Sequence, residues 1–235
     1  MCIRDSNVGD LFLGRVKRIV PGLNAAFVDV GYEKDAFLHY HDLGPQASSL
    51  QKYISESITG KRKAGDLTDF ELESDIDKNG KIDSVLKPNK YLLVQIAKEP
   101  ISTKGPRLTC EISIAGRYIV LVPFSDRISV SQKIKSREER DRLRRLISSI
   151  KPKNFGVIVR TVAESKKVAE LDQDLRDLMS KWQEGFENFT CLLYTSDAAD
   201  DMQCVDLGGR RIIKKKNFFQ AEDGIRDVER SRGLG

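Results

Sequence analysis

The feature that most constrains the fold is a pair of alternating segments, NAAFVDV and DAFLH, on either side of Gly31. Side chains in a strand point to opposite faces with a period of two. In the first segment the aliphatic side chains share one face, and Phe27 lies on the other with Asp29. In the second segment, Phe37 shares its face with His39. The pattern predicts a hairpin that turns at Gly31, with an aliphatic inner face and two aromatic rings outside. The alternative is that a second layer covers the two rings.

The neighbouring segments predict a small barrel. LFLGRVKRIV precedes the hairpin and YLLVQIAKE (91–99) follows it, and short antiparallel strands joined by glycine turns predict a small barrel. Residues 41–85 are polar and contain four glycines, and we interpret them as a long insertion without an assigned role. Within it, DIDKNGKID (75–83) opens like a calcium loop. Position 12 of that loop needs a bidentate Glu and is Leu86 here, so we predict a turn.

The second half of the chain predicts an α/β region over residues 100–190. PISTKGP (100–106) contains two prolines and a glycine, which are typical of a domain boundary. Three strand candidates follow. A helix then begins at Ser136, whose capping box with Glu139 marks the first turn. NFGVIVRT predicts a buried strand, and a long helix follows with one apolar stripe of Val168, Leu171, Leu175, Leu178 and Trp182.

Two groups of residues have the chemistry of a binding site. Outward aromatic rings on a small barrel stack unpaired bases, which contributes about 1–3 kcal/mol per base. Phe27 and Phe37 fit this role, and Lys98 lies at the end of a strand where it can contact a phosphate. Arg160 and Thr161 end a strand and precede a helix, so a guanidinium, a hydroxyl and helix-start amides can hold a terminal phosphate. The alternative is a surface ion pair and a helix cap.

Composition narrows the class of protein. The chain is 40% hydrophobic and 32% charged, which is typical of a soluble globular protein, and no run approaches the roughly 18 apolar residues of a membrane span. The net charge of +5 permits an anionic partner. Four cysteines form no CxxC pair, which favours a reducing, cytoplasmic setting without a zinc site. Ser-His-Asp, P-loop and HExxH patterns are also missing, so we predict no catalytic or metal-binding residues in this sequence.

The two ends of the sequence differ from the middle. Residues 1–6 and 191–235 resemble translated sequencing-adapter read-through, so we predict that both segments lie outside the fold and that residues 191–235 are disordered. The alternative is a natural, poorly ordered tail. Leaving these residues out removes nine basic and nine acidic side chains, so the bias of +5 belongs to the middle of the chain. Cys110 is the cysteine that remains, and we predict a small buried hydrophobic residue there.

Three segments of the sequence resemble the ribonuclease E/G family: VGDLFLGRVKRIVPGLNAAFVDVGYEKDAFLHYHDLGP, LVQIAKEPISTKGPRLTCEISIAGRYIVLVPFSDRISVSQKI and FGVIVRTVAE. The resemblance covers roughly residues 7–190. It implies that residues 7–99 are an S1 domain, an OB-type five-stranded antiparallel β-barrel that binds single-stranded RNA. It also implies that residues 100–190 are a 5′-sensor region that recognises a 5′-monophosphate. The family's RNA-contacting S1 positions match Phe27, Phe37 and Lys98, and its 5′-phosphate pair matches Arg160 and Thr161.

The resemblance also implies an activity for the intact enzyme. The family consists of Mg²⁺-dependent endoribonucleases whose two catalytic aspartates and zinc-binding CPxC motif lie downstream of the matching segments. We therefore predict the RNA-binding N-terminal portion of an endoribonuclease that acts in RNA processing and decay. No cofactor is expected in this chain, no membrane partner, and a homo-oligomer only for the intact enzyme. The alternative is a stand-alone S1-type module that binds single-stranded RNA without catalysis.

Overall fold

The computed structural model describes residues 8–62, 65–101, 104–197 and 210–213, which fall into two compact units. The first unit contains the described residues up to Ile112 and those from Lys181 onward, and the second contains Ser113–Ser180. The barrel of the first unit consists of β1 (Leu11–Val20), β2 (Ala25–Asp29), β3 (Ala36–His39), β4 (Tyr91–Lys98) and β5 (Arg107–Thr109).

The barrel closes in the strand order β1-β2-β3-β5-β4-β1. Four of the pairings are antiparallel, while β3 and β5 run parallel. The first half of β1 pairs with β4 and its second half with β2, so β1 closes the barrel. This topology confirms the predicted OB-type barrel followed by an α/β region, with one parallel pairing in place of a fully antiparallel barrel. The fifth strand lies beyond residue 99, where the sequence predicts that the barrel ends.

The alternation predicted for the hairpin is confirmed by burial. Val28 and Leu38 are completely buried inside the barrel, whereas Phe27 and Phe37 on the outer face remain partly exposed. The turn between β2 and β3 contains Gly31 at φ 76°, a left-handed conformation that glycine adopts without steric cost. The hairpin therefore presents its two phenylalanine rings on the outside of the barrel.

The segment between β3 and β4 has a small core of its own. It contains a 3-10 helix at Tyr40–Leu43, α1 (Ala47–Ile58) and α2 (Ile82–Val85). Tyr53 of α1 lies 6.0 Å, centroid to centroid, from the rings of Phe70 and Trp182, and the Trp182 indole N–H donates to the Gly65 carbonyl at 2.7 Å. The predicted turn at 75–83 is confirmed: the Gly80 amide donates to the Asp77 carbonyl, which also accepts from the Tyr40 hydroxyl.

The second unit contains a four-stranded sheet in the order β6-β7-β9-β8. Its elements are β6 (Ile114–Ala115), β7 (Ile119–Pro123), β8 (Ile128–Val130), α3 (Arg137–Ile150), β9 (Phe155–Val159) and the start of α4 (Val168–Asp197). The Ser136 hydroxyl accepts from the Glu139 amide at 3.2 Å, which confirms the predicted start of α3. β8, α3 and β9 form a β-α-β unit, because β8 and β9 pair in parallel.

The apolar stripe of α4 is buried except at its first position. Leu171, Leu175, Leu178 and Trp182 are at most 4% exposed, whereas Val168 is 42% exposed because it begins the helix. The helix continues to Asp197, and β10 (Arg210–Ile213) pairs with the start of β1. Within the described ranges, no helix is both long enough and apolar enough to cross a membrane. The predicted artefact at residues 1–6 and the predicted disorder of residues 198–209 and 214–235 fall outside the described residues.

Candidate nucleic-acid interface

A row of side chains crosses the outside of the barrel, one from each strand. The strand registers pair Arg18 with Phe27, Phe27 with Phe37, Phe37 with Arg107, and Arg107 with Lys98. We call these five residues the barrel row. Neighbouring strands lie about 4.8 Å apart, so the row extends for roughly 19 Å around the barrel. Two aromatic rings at its centre are therefore flanked by cations on both sides.

The two rings at the centre of the barrel row contact each other edge to face. The ring centroids of Phe27 and Phe37 are 5.9 Å apart with an interplanar angle of 71°. His39 continues this surface, because its ring lies 6.5 Å from that of Phe37 and 5.1 Å from that of His41. His39 Nδ1 accepts the His41 amide at 3.2 Å, which fixes the orientation of the imidazole. The rings of Phe27, Phe37 and His39 therefore offer partly exposed π faces in one patch, which is the geometry that stacks unpaired bases.

Two β-bulges orient the terminal cations of the row. The β1–β2 register shifts at Lys17 and the β4–β5 register shifts at Ala97. An extra residue in one strand changes which side chains face outward. Arg18 therefore points outward, with its guanidinium carbon 4.9 Å from the Phe27 ring centroid, and Lys98 is exposed at the other end. The structure thus brings Lys98 to the same surface as the two rings.

Arg107 is a member of the row that sequence reasoning missed. Its Nε and Nη2 donate to the Asp42 carboxylate at 2.9 and 3.0 Å, and 45% of its side chain remains exposed. Asp42 is held in turn, because its main-chain carbonyl accepts from the Thr109 hydroxyl and the Cys110 amide. The alternation of exposed Arg107 with buried Leu108 is the available signal, but the proline and glycine residues of 100–106 predict a domain boundary that places this strand in the following region.

Arg160 and Thr161 lie together at the end of β9 in the second unit. The Arg160 amide donates to the Tyr118 carbonyl at 2.9 Å, and Arg160 Nη1 donates to the Gly116 carbonyl at 2.8 Å. Thr161 begins a 3-10 helix of three residues, and α4 starts only at Val168. The helix-start amides that the sequence suggested beside this pair therefore belong to a position seven residues further along the chain.

The turn between β6 and β7 is held by a carboxylate from α4. Asp174 accepts the amides of Arg117, Tyr118 and Ile119 at 3.0, 2.8 and 3.0 Å. Consecutive amides that converge in this way form a nest for an anion. A Cβ at Gly116 would lie 2.7 Å from both Asp174 carboxylate oxygens, so the close approach requires glycine. The carbonyl that anchors the Arg160 guanidinium is therefore fixed in position by Asp174.

Comparison with known proteins decides the family. Residues 113–207 match the model of the ribonuclease E/G family. Over 177 residues the chain is 39% identical to ribonuclease E of Nostoc sp. (strain PCC 7120) and 38% identical to ribonuclease E of Synechocystis sp. (strain PCC 6803). It is 35% identical over 180 residues to ribonuclease G of Escherichia coli (strain K12). The chain belongs to the ribonuclease E/G family.

The similarity covers 75% of this chain for the two ribonuclease E relatives and 77% for ribonuclease G. The chain spans 22% of the length of each ribonuclease E relative and 33% of ribonuclease G. The ribonuclease E/G match extends to residue 207, past the position at which the sequence begins to resemble adapter read-through. α4 also continues past that position.

The described residues do not offer a site for the Mg²⁺ that the family resemblance implies. In the described parts of the chain, no three His, Cys, Asp or Glu side chains converge in a way that could hold a metal ion. Cys110 is buried, as predicted, and burial raises the pKa of its thiol to about 12, so it stays protonated near neutral pH.

Proposed function

We propose that this ribonuclease E/G-family chain binds single-stranded RNA through the barrel row. The observation that carries the proposal is the register that aligns Phe27 and Phe37 between Arg18 on one side and Arg107 and Lys98 on the other. Bases stack on the two rings, while the cations contact the phosphates that flank those bases. An unpaired strand suits this surface because paired bases do not present their faces for stacking.

The side chains around the row support this role through their own contacts. The bidentate bond to Asp42 holds the Arg107 guanidinium at the surface, so less conformational entropy is lost when it contacts a phosphate. Arg18 lies over Phe27 and carries its charge directly beside the stacking surface. Lys98 is exposed and provides a mobile point charge at the end of the row.

We further propose that Arg160 and Thr161 bind a 5′-monophosphate. Arg160 uses Nη1 to bind the Gly116 carbonyl, and its guanidinium carries further N–H donors, on Nε and Nη2, that can bind an anion. The Thr161 hydroxyl adds a donor from the next residue. A terminal phosphate is a compact dianion, and a guanidinium with a neighbouring hydroxyl satisfies several of its oxygens at once.

For the intact protein we propose an endoribonuclease that acts in RNA processing and decay and favours 5′-monophosphorylated RNA. Mg²⁺, the catalytic aspartates and homo-oligomerisation belong to that intact enzyme, and its expected location is the cytoplasm. This chain is expected to bind RNA without cleaving it. The second candidate, a stand-alone S1-type RNA-binding module, is favoured by one observation: the whole barrel row lies within the first compact unit.

The experiment that tests the proposal compares one single-stranded RNA carrying either a 5′-monophosphate or a 5′-hydroxyl, at fixed salt, with the full chain. We expect tighter binding of the monophosphate. Arg160→Ala should remove that preference, whereas Phe27→Ala should weaken both RNAs equally. Equal binding of the two RNAs by the unmodified chain would refute the 5′-phosphate proposal but would not contradict RNA binding by the barrel row. An unchanged affinity of Phe27→Ala would refute the barrel proposal.

A further inference from the structure

The positive charge of the chain is concentrated in one segment of the second unit. Residues 127–153 contain ten lysines and arginines and three acidic residues, a formal charge of +7. The whole chain carries +5, so the remainder sums to −2. This segment contains α3, whereas the barrel row lies in the first unit. The small net charge of the whole chain is therefore the sum of one strongly basic segment and a slightly acidic remainder.

Three arginines of α3 form a row along the helix, on the flank next to its buried residues. Leu143 and Ile147 are completely buried. Arg137, Arg140 and Arg144 follow a spacing of three and four, which aligns them on one side of the helix. We call these three residues the arginine stripe. The side chains of Arg137 and Arg144 are 88% and 55% exposed, and Arg140, which lies one turn before Leu143, is partly buried.

The carboxylate beside the stripe balances only part of the positive charge of the stripe. Arg137 and Arg144 both approach the Asp141 carboxylate, at 4.0 and 3.4 Å, so one carboxylate faces two guanidinium groups. Arg142 of the same helix is used differently. It donates to Glu139 through Nε and Nη2 at 2.7 and 2.6 Å and to the Lys166 carbonyl at 3.1 Å. Arg142 is therefore a structural residue, whereas Arg137 and Arg144 of the stripe present their charge to solvent.

We propose that the arginine stripe is a second RNA-binding surface, which contacts the phosphodiester backbone without reading sequence or the 5′ end. The inference rests on the proposed function for RNA as the ligand, but it uses neither the barrel row nor Arg160. From Arg137 to Arg144 the stripe rises about 10 Å along the helix axis. Guanidinium groups bind phosphate oxygens bidentately, and backbone contacts of this kind supply affinity independent of base identity.

The character of α3 favours RNA over a membrane surface. A helix that lies on a membrane inserts an apolar face between the lipids. The apolar side chains in the second half of α3 are buried or partly buried, and α3 packs against β8. The exposed side carries charge, which matches a phosphate backbone.

The test measures RNA affinity of the full chain as a function of salt, using single-stranded RNA with a 5′-hydroxyl. The triple variant Arg137→Ala, Arg140→Ala, Arg144→Ala removes the stripe. Its matched control, Lys78→Ala, Lys81→Ala, Lys87→Ala, removes the same charge from exposed positions in the first unit. Each lost contact to a single strand lowers the salt slope by about 0.7, so we expect a slope shallower by about 2 for the stripe variant. The control should keep the original slope.

The outcomes separate this inference from the proposed function. Equal slopes for the stripe variant and the lysine control would overturn the inference. If RNA binding is unchanged but binding to vesicles of anionic phospholipid is lost, the stripe serves a membrane and the inference is also overturned. If the stripe variant shows the shallower salt slope while Phe27→Ala keeps the RNA affinity of the unmodified chain, the inference stands and the barrel proposal fails. Circular dichroism spectra that match the unmodified chain would show that the three substitutions, including the one at partly buried Arg140, leave the fold intact.

Discussion

Replacing Phe37 by leucine should separate base stacking from the other contributions of the barrel row. Phe37 lies at the centre of the row, 5.9 Å from Phe27 and 6.5 Å from His39, centroid to centroid. Leucine keeps an apolar side chain against Phe27 but has no π face. Loss of one stacked base costs about 1–3 kcal/mol, which corresponds to an affinity roughly 5- to 150-fold weaker. Fluorescence anisotropy with a labelled 5′-hydroxyl single-stranded RNA at fixed salt measures this change.

The matched control for this prediction is Phe70→Leu. Phe70 is also an aromatic residue of the first unit, but it is 2% exposed and packs against Tyr53. Its replacement should lower the melting temperature while leaving RNA affinity within about twofold, since it removes no surface ring. Phe37→Leu should do the reverse. An unchanged RNA affinity for Phe37→Leu in a folded protein would refute the stacking argument.

Three further predictions concern single contacts. Arg107→Ala should weaken RNA binding several-fold at low salt and lower the salt slope by about 0.7, as measured by titration at several salt concentrations. Asp174→Ala should destabilise the second unit by about 2–3 kcal/mol, visible as a lower melting temperature, because three amides lose their acceptor; an unchanged melting temperature would contradict this. The Arg142 guanidinium holds the pKa of Glu139 at about 2, below its usual 4.5, so the stability that this pair contributes is complete above about pH 4.5 and is lost as the pH falls toward 2. Glu139→Gln should remove that part of the acid dependence in melting curves from pH 2 to 7 and cost about 1 kcal/mol at neutral pH.

The barrel could be predicted because its strands follow simple alternation. The hairpin of β2 and β3 has an aliphatic inner face, and its turn glycine adopts a positive φ. The part of the insertion after α1 was harder to interpret, because its buried residues are few and scattered and follow no continuous helical or strand period. Leu67, Phe70, Ile82 and Leu86 are each at most 2% exposed, although the surrounding sequence is polar.

The barrel row was only partly predictable because it depends on register between strands distant in sequence. Alternation places Phe27 and Phe37 outside, but no local pattern shows that Arg107 lies opposite Phe37. That pairing joins β3 and β5, which are separated by more than sixty residues. The bulges at Lys17 and Ala97 are equally invisible in the sequence, since each is defined by the strand opposite.

The location of bound RNA on the chain is the most direct test of the central claim. Single-stranded RNA containing 4-thiouridine can be photo-crosslinked to the full chain, and the modified peptides can be mapped by mass spectrometry. The account predicts crosslinks in β2 and β3, at or beside Phe27 and Phe37, which disappear when an unlabelled single strand competes. Crosslinks confined to other parts of the chain, with none in these two strands, would contradict it.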